Sequence, residues 1–390
     1  MLIATSSLPT TPSVRAKRNL YGKGSLMPTQ GPSRLTIAFV LAISLAGCSN
    51  NNNTHSAYVT LPTVNRVLAY RVHNNTGELT TPFGGSFVTG QSPLSVAADP
   101  TNRFVYVANS GENDISLFSV DSSSGSLREI LPRTTTAAVP TALAMDPSGN
   151  FLYVINQGVN AVSSFAIDSN KGTLTPVAGP LVSTGLNPAA LVVTPSGKFL
   201  YVSNSNSASV SAYSISSGAL TPIVGSPFAI GHGPLAITVD PGEHSVYVTN
   251  TADSTISVLA IDPNTGALTD IVGSPFNVIQ INNTGAATGS VSIAIHPSGS
   301  LMYIANQISG NVTFYALASN GAPIETPNSP YTSGAGTNFV VVDTTGNFLF
   351  TGDQNSKRIS VYSIDSTSGA LTLTSLVSTG TQATQMILTK

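Results

Sequence analysis

Residues 140–176 read PTALAMDPSGNFLYVINQGVNAVSSFAIDSNKGTLTP, and they contain four short apolar segments separated by turn residues. Asp146-Pro147 closes the first segment, because proline fixes φ and lacks the N–H that a sheet ladder needs, while aspartate bonds back to the turn backbone. Gly172 precedes the fourth segment and can adopt a positive φ without strain. The stretch therefore predicts four consecutive antiparallel strands joined by tight turns.

This unit recurs along the chain every 46 to 48 residues, apart from one interval of 56 that reflects an insertion around residues 278–288. An aromatic residue occupies one position of the unit seven times: Tyr58, Tyr106, Tyr153, Tyr201, Tyr247, Tyr303 and Phe350. A turn glycine gives an independent count of seven: Gly77, Gly125, Gly172, Gly218, Gly266, Gly321 and Gly369. Self-similarity at such a period is typical of repeat architectures.

The third strand of the unit is apolar on both faces. In one repeat Ile115 and Leu117 point to one side, while Phe118 and Val120 point to the other. Each sheet must therefore be covered on both sides, as the neighbouring blades of a β-propeller do. A two-sheet sandwich would leave one face of each sheet polar, so the pattern disfavours it.

The chain enters the repeat part-way through. Residues 56–60 match a second strand and residues 67–72 a third, while the missing first strand appears near the C-terminus as residues 383–388. Pairing that strand into the N-terminal blade would close the ring. The sequence thus predicts an all-β, seven-bladed β-propeller of four-stranded antiparallel blades over residues 56–390.

Composition limits the classes of function. Charged residues make up 8% of the chain and the net charge is −2, so the chain lacks the basic surface that nucleic-acid binding requires. Cys48 is the one cysteine, which excludes an intramolecular disulfide and a cysteine-based metal site. We find no phosphate-binding loop, nucleophile elbow or metal-ligand spacing, and we expect a monomer without cofactor or metal.

The N-terminal region is typical of an export signal. Residues 35–46 form an apolar run preceded by Arg34, and the run is shorter than the roughly 20 residues of a membrane span. It ends in Leu45-Ala46-Gly47-Cys48, which resembles the lipobox of bacterial lipoproteins. In that family the cysteine is acylated on sulfur and becomes the first residue of the mature protein. The alternative is an ordinary signal peptide with an unrelated cysteine.

We therefore expect a signal peptide over residues 1–48, with Met27 as an alternative start, and a polar tether over residues 49–55. Membrane contact would be through the lipid alone. Ser49 follows the cysteine, where an aspartate would indicate retention in the inner membrane of Gram-negative bacteria. The resemblance thus implies an extracytoplasmic lipoprotein of the outer membrane or cell surface.

Three tetrads, Tyr106-Val-Ala-Asn109, Tyr201-Val-Ser-Asn204 and Tyr247-Val-Thr-Asn250, look like the YVTN repeat. With the Asp-Pro-Ser-Gly and Ser-Gly-Ala-Leu-Thr turns, they resemble the lactonase-type seven-bladed propellers. That group includes 6-phosphogluconolactonase-like and muconate-lactonising enzymes as well as secreted repeat proteins. The resemblance identifies the scaffold, and it assigns no catalytic residue to a position of this chain.

Candidate functional residues lie in the loops before each first strand and between the second and third strands, which share one face of a propeller. His232 and Asp253 fall in such loops of the same blade. A histidine paired with an aspartate can act as general base for water that attacks a lactone carbonyl. The alternative is a solvent-exposed loop histidine beside a turn-capping aspartate.

A second set of candidates would bind a ligand on the same face. Arg66, Asp353, Lys357 and Arg358 are expected to be neighbours across the ring closure, where arginine suits a carboxylate ligand. The alternative is a surface ion-pair cluster.

Glu112, with Asp114 nearby, is a candidate acidic ligand, although the spacing supplies too few oxygens for Ca²⁺. His296 stands where other repeats have the turn aspartate, so it is interpreted as a turn variant. Asparagines recur at the end of the second strand, and their repetition predicts structural bonding to loop backbone. They are Asn109, Asn156, Asn204, Asn250 and Asn306.

Two hypotheses for function remain open. The neutral rim, rich in Ser, Thr and Asn, favours a cell-envelope module that binds a protein, glycan or small molecule. The alternative is a lactone hydrolase that acts on an extracytoplasmic sugar or acyl lactone. Phosphogluconolactone is a poor candidate, because it is cytosolic and the rim lacks a dense basic cluster.

Overall fold

A computed structural model of the chain describes residues 54–82, 84–278, 289–327 and 329–389. The predicted signal peptide, Cys48 and most of the predicted tether lie outside these residues. Within the described ranges, no helix is long and apolar enough to cross a membrane. Two short 3₁₀ helices occur, at Pro62–Val64 and Gln157–Val159.

The strands form seven sheets, which we number as blades one to seven along the chain. Blade one contains β1 (Thr54–Leu61), β2 (Arg66–His73), β3 (Leu79–Thr80), β4 (Ser86–Val88) and β33 (Met386–Leu388). Blade two contains β5 (Pro93–Ala98), β6 (Phe104–Asn109), β7 (Asp114–Val120) and β8 (Leu127–Thr135). Blade three contains β9 (Pro140–Met145), β10 (Phe151–Asn156), β11 (Ala161–Ile167), β12 (Leu174–Pro176) and β13 (Val182–Ser183).

The remaining blades repeat this order. Blade four contains β14 (Pro188–Val193), β15 (Phe199–Asn204), β16 (Ser209–Ser216), β17 (Ala219–Pro222) and β18 (Phe228–Ala229). Blade five contains β19 (Pro234–Val239), β20 (Ser245–Asn250), β21 (Thr255–Ile261), β22 (Leu268–Asp270) and β23 (Phe276–Asn277). Blade six contains β24 (Ser290–Ile295), β25 (Leu301–Asn306), β26 (Asn311–Leu317), β27 (Pro323–Glu325) and β28 (Tyr331–Thr332). Blade seven contains β29 (Thr337–Val342), β30 (Phe348–Asp353), β31 (Arg358–Ile364) and β32 (Leu371–Ser378).

The predicted all-β, seven-bladed propeller is therefore confirmed. The first strands of adjacent blades contact one another around the ring, which places them innermost. The prediction of one fourth strand per blade holds in two blades, whereas in five blades the outermost strand is split into two pieces that both pair with the third strand. Proline and glycine between the pieces, as in Gly225-Ser226-Pro227, explain the split, because they interrupt the ladder.

The C-terminal strand closes the ring as predicted. β33 pairs antiparallel with β1, with Ala57 opposite Leu388 and Val59 opposite Met386. Beyond β33, the Ser56 N–H donates to Thr389 Oγ1 at 2.9 Å and the Thr389 N–H donates to the Ser56 carbonyl at 2.9 Å. Strand β1 starts at Thr54, two residues before the predicted start.

In blades two, four, five and six, the recurring tyrosine bonds to the turn glycine of the next blade. Tyr106 is fully buried, and its hydroxyl donates to the carbonyl of Gly172 in the following blade at 2.8 Å. Equivalent bonds run from Tyr201 to Gly266 at 2.9 Å and from Tyr303 to Gly369 at 2.8 Å. We call these contacts the interblade latches, and they explain why the two residues repeat together.

The latch between blades two and three predicts a steric effect at Gly172. A Cβ at this glycine would lie 2.5 Å from the Phe104 ring, at a φ of +73°. Gly380 has the same φ of +73°, but nothing lies within 4 Å of its Cβ position. We therefore expect Gly172→Ala to cost about 1–3 kcal/mol more than Gly380→Ala, because only the first adds overpacking to the backbone strain. Chemical denaturation of both variants measures the difference, and equal losses would exclude the latch clash.

The turn of blade two predicts an acid-dependent contribution from Asp121. Its carboxylate accepts hydrogen bonds from the Ser123 hydroxyl and the Ser124 N–H, and they lower the pKa of Asp121 from 3.8 to about 2. Because the folded-state pKa is depressed, this stabilisation is present above pH 3.8 and is lost as the pH falls through about 2. Asp121→Ala should therefore lower Tm near pH 5 (about one unit above the ordinary value) and have less effect near pH 2. The exposed Asp270, changed to Ala, serves as control; a Tm loss at Asp121 independent of pH contradicts the mechanism.

Candidate functional site

We call the face that carries the connectors before each first strand and the turns between second and third strands the upper face. The two kinds of loop touch within a blade. In blade two, the Ser110 N–H donates to the Ser92 carbonyl at 3.1 Å. In blade five, the Thr251 N–H donates to the Gly233 carbonyl at 3.0 Å. Side chains from the two loops of one blade are therefore brought together on this face.

His232 and Asp253 form such a contact in blade five. Asp253 Oδ2 accepts the backbone N–H of His232 at 2.6 Å and lies 3.0 Å from His232 Nδ1. Since a carboxylate can only accept, we assign the ring proton to Nδ1, which leaves the lone pair on Nε2. The His232 side chain is 78% exposed and Asp253 36% exposed, so the pair is open to solvent.

The backbone of blade five fixes the position of this pair. A Cβ at Gly231 would lie 2.7 Å from Cγ of Asn250, and Gly233 has a φ of +66°. Ser254, which follows the aspartate, also has a positive φ, of 53°. The segment before β19 therefore passes against the side chain of Asn250. This path places His232 next to the turn that carries Asp253.

The electrostatics of the pair favour an ionised aspartate. The hydrogen bond from the His232 backbone N–H is the main cause that lowers the pKa of Asp253, and the His232 ring adds to it. An anionic Asp253 accepts from Nδ1 and keeps the ring in one tautomer. This is the arrangement that lets the other ring nitrogen accept a proton.

The residues predicted as a ligand clamp have partners of their own. Asp353 is 1% exposed, and its carboxylate is bonded by Arg358 Nε at 3.1 Å. Arg66 donates to the carbonyl and the hydroxyl of Ser86 in its own blade, at 3.2 and 3.4 Å. Lys357 is exposed on the turn before β31. The structure thus brings Asp353 and Arg358 together and directs Arg66 to a different partner.

The repeat explains why Asp353 is buried. It occupies the blade-seven position that is asparagine in blades two to six, and Ser360 Oγ donates to it at 2.6 Å. Four further groups approach this carboxylate: Ser333 Oγ at 2.8 Å, Arg358 Nε at 3.1 Å, Thr337 Oγ1 at 3.2 Å and Thr351 Oγ1 at 3.4 Å. These hydrogen bonds compensate the desolvation of the charge.

The recurring asparagines at the ends of the second strands are structural, as predicted. Their shared hydrogen-bond partner is a side-chain hydroxyl, whereas the prediction was loop backbone. Each side-chain amide donates to a hydroxyl seven residues later on the third strand, in addition to any contact with loop backbone. For example, Asn156 Nδ2 donates to Ser163 Oγ at 2.7 Å, and Asn250 Nδ2 donates to Ser257 Oγ at 2.8 Å. A buried amide next to a hydroxyl on the neighbouring strand is the nearest available partner, which explains the recurring pair.

Sequence reasoning missed an arginine beside the acidic candidates of blade two. Arg133, on β8, lies 2.7 Å from Glu112, 3.8 Å from Asp114 and 2.7 Å from Glu129. Glu112 is thus paired within the protein. Among the residues that the structure describes, no group of three or more His, Cys, Asp or Glu side chains could hold a metal ion.

Two further histidines, His244 and His296, lie on the opposite, lower face. His296 is a turn variant as interpreted, because its Nδ1 lies 2.7 Å from the Ser298 hydroxyl and its Nε2 lies 3.0 Å from the Gly346 carbonyl. The side chain of His244 is 85% exposed, and its Nδ1 lies 3.2 Å from Asp240 Oδ2. This second His–Asp pair resembles the one on the upper face and provides a natural control for it.

Comparison with known proteins identifies the scaffold. The sequence profile of the family described as "Lactonase, 7-bladed beta-propeller" matches residues 49–185, 178–278 and 275–387. No curated protein matches the chain by sequence.

Solved structures share the fold at low sequence identity. A Bacteroides fragilis protein described as a candidate 6-phosphogluconolactonase is 19% identical, with a TM-score of 0.75 over 88% of this chain and 99% of its own. The periplasmic gluconolactonase of Pseudomonas aeruginosa is 18% identical, with a TM-score of 0.73 over 86% of this chain and 99% of its own. At such identities the likeness establishes the architecture alone. Because the family profile matches most of this chain, the chain belongs to the lactonase family of seven-bladed β-propellers.

Proposed function

We propose that the chain hydrolyses an uncharged lactone on the upper face of blade five, with His232 as general base and Asp253 as the residue that orients it. The observation that carries the proposal is the 3.0 Å contact between His232 Nδ1 and Asp253 Oδ2. It leaves Nε2 with a free lone pair at an open rim, which is what proton abstraction from water requires. Membership of the lactonase family supports the reaction class.

The reaction follows from the two side chains. His232 Nε2 takes a proton from a water molecule, and the water oxygen forms a bond to the lactone carbonyl carbon. The tetrahedral intermediate collapses, the ring C–O bond breaks, and the proton on Nε2 passes to the departing alkoxide. The product is one hydroxy acid per lactone and water consumed, while anionic Asp253 stabilises the transient imidazolium.

The charges on the upper face support an uncharged substrate. Arg358 is paired with Asp353, and Arg133 is paired with Glu112. Lys357 lies in blade seven and Arg66 in blade one, so neither is on the blade that carries His232. Because a phosphorylated lactone calls for free cations at the site, a neutral sugar or acyl lactone fits this rim better.

The test is a pH-stat assay of residues 49–390 against a panel of lactones. The panel contains a neutral sugar lactone, its 6-phosphorylated form and an acyl-homoserine lactone. The proposal expects acid release with at least one neutral lactone and a lower kcat/KM for the phosphorylated form. Release with the phosphorylated lactone alone would overturn the substrate class, and release with none would overturn the activity.

We propose further that the protein is exported and held at the bacterial outer membrane or cell surface by lipid on Cys48. The support is the apolar run of residues 35–46 followed by Leu45-Ala46-Gly47-Cys48. Cys48→Ser should abolish incorporation of labelled palmitate and shift the protein from the membrane to the soluble fraction, because the variant lacks the acylated sulfur. Cys48→Ser protein that still incorporates palmitate and stays in the membrane fraction would contradict the proposal.

A second candidate function is a binding module of the cell envelope. It is favoured by one observation, which is that Asp353, the one carboxylate of the predicted clamp, is paired with Arg358 while Lys357 stays exposed. In this role Arg66 and Lys357 would receive the carboxylate of a small ligand or a glycan, beside the Arg358–Asp353 pair. Titration with gluconate, compared between the wild type, Arg66→Gln and Lys357→Gln, tests it; binding unaffected by either change would exclude this surface.

A further inference from the structure

A cavity of about 330 Å³ opens on the outer edge of blade three, bordered by blade four and by residues 135–137 at the end of the last strand of blade two. Val162, Val177 and Val182 of blade three line it together with Leu220 of blade four. The gap between β12 and β13 leaves this edge open. None of the lining residues is charged, so the cavity suits an uncharged, mainly apolar occupant.

The other blades with a split outer strand show what normally fills this place. In blade three, Val182 pairs with Val162 on the third strand. The residue in the same register is aromatic in the other four: Phe87 opposite Val67, Phe228 opposite Val210, Phe276 opposite Ile256 and Tyr331 opposite Val312. Blade three is therefore the split blade that lacks the ring.

Blade four shows where that ring packs. Phe228 and Ile223 belong to the apolar cluster between blades four and five, together with Ala267 and Leu268 of the next blade. In blade three the corresponding residues are the smaller Val182 and Val177, and the facing residues of the next blade are Ala219 and Leu220, all of which line the cavity. The cavity thus lies where the sibling blade holds a phenyl ring and a larger aliphatic side chain.

The inner wall of the cavity is formed by buried side chains. Val162 is 1% exposed and Leu220 9% exposed. Tyr213 of blade four donates its hydroxyl to the carbonyl of Ser183, the residue after Val182, at 2.5 Å. This bond fixes the outer piece of blade three against blade four. An apolar cavity of roughly 150 Å³ in another protein binds benzene, so the space here is ample for one aromatic ring.

We propose that the outer edge of blade three is a binding site for a small uncharged aromatic molecule, whose ring takes the place of the phenyl ring found in the sibling blades. The site is separate from the upper face and does not depend on hydrolysis. Binding would bury the ring against Val182, which is half-buried in the free protein, and against the side chain of Leu220. A charged group on the ring would weaken binding, because no lining residue can pair with it.

The experiment is a calorimetric titration of the protein with p-cresol, with 4-methylbenzoate as the charged comparison. The expected result is one p-cresol site per chain and at least tenfold weaker binding of the benzoate. Val182→Phe, alone and with Val177→Ile, rebuilds the blade-four packing in blade three. Both variants should bind p-cresol at least tenfold more weakly and melt at a higher temperature than the wild type.

The reciprocal change gives a gain of binding. Phe228→Val opens the same space in blade four and should raise the stoichiometry from one p-cresol to two. Folding of each variant is checked by circular dichroism, and the Val182→Phe result decides the proposal if Phe228→Val does not fold. The proposal is overturned if the wild type does not bind p-cresol, or if folded Val182→Phe binds it as tightly as the wild type does.

Discussion

Replacing His232 with alanine lowers kcat/KM for a neutral lactone by roughly 10²- to 10⁴-fold, the range expected when a general base is removed. The reason is that Nε2 is the group placed to take the proton from water, with its lone pair fixed by the Asp253 contact at Nδ1. The side chain is 78% exposed, so its removal should leave Tm close to that of the wild type. Initial rates in the pH-stat and a thermal melt measure the two effects.

Two further variants separate catalysis from mere surface charge. Asp253→Asn keeps the shape of the partner but removes its charge, so it should reduce the rate less than His232→Ala does. His244→Ala removes the histidine of the lower-face pair, which contacts Asp240 at 3.2 Å with a similar exposure, and it should leave the rate unchanged. Equal losses in His232→Ala and His244→Ala would contradict a site on the upper face.

Deleting residues 381–390 is expected to have the largest effect on stability. The deletion removes β33 and leaves β1 as an unpaired edge inside the ring. It also removes the Thr60–Thr384 hydroxyl contact at 2.9 Å and the bond from the Val96 N–H to Gln385 at 2.7 Å. We expect loss of the cooperative melt and aggregation, since a propeller depends on closure to cover both faces of every blade.

A graded variant shows whether the closure itself is responsible. Thr389→Val removes the hydroxyl that accepts the Ser56 N–H at 2.9 Å but keeps the strand, so it should lower stability by about 1 kcal/mol. Calorimetric melts of the full chain, Thr389→Val and the truncated chain provide the comparison. A truncated chain that melts at the temperature of the full chain would show that β33 is not needed for closure.

The fold could be predicted because the same pattern of strands and turns occurs seven times in the sequence. Seven aromatic positions and seven turn glycines give independent counts, and the structure shows the reason, since Tyr106 and Gly172 meet across a blade boundary. The split of the outer strand was not predicted. Its pieces are only two to four residues long in blades such as four, too short for an alternating pattern to appear in the sequence.

The candidate site was predictable only in part. The contact between His232 and Asp253 could be predicted because the two residues lie in the two upper-face loops of the same blade. Arg133 was missed because it lies on a fourth strand, where the sequence signal is weakest, and its partner Glu112 lies 21 residues away. The burial of Asp353 could have been read from the repeat itself, since it stands at the asparagine position of the other blades.

Chemical rescue of His232→Ala is the decisive measurement for the role of His232 as the base in lactone hydrolysis. Lactone turnover by His232→Ala is measured with increasing imidazole, beside the wild type and His244→Ala at the same concentrations. If His232 is the base, imidazole restores turnover in His232→Ala as its concentration rises, because the open site lets it supply the missing base from solvent, and it leaves the other two proteins unaffected. Turnover that is equal in all three proteins without imidazole would contradict it.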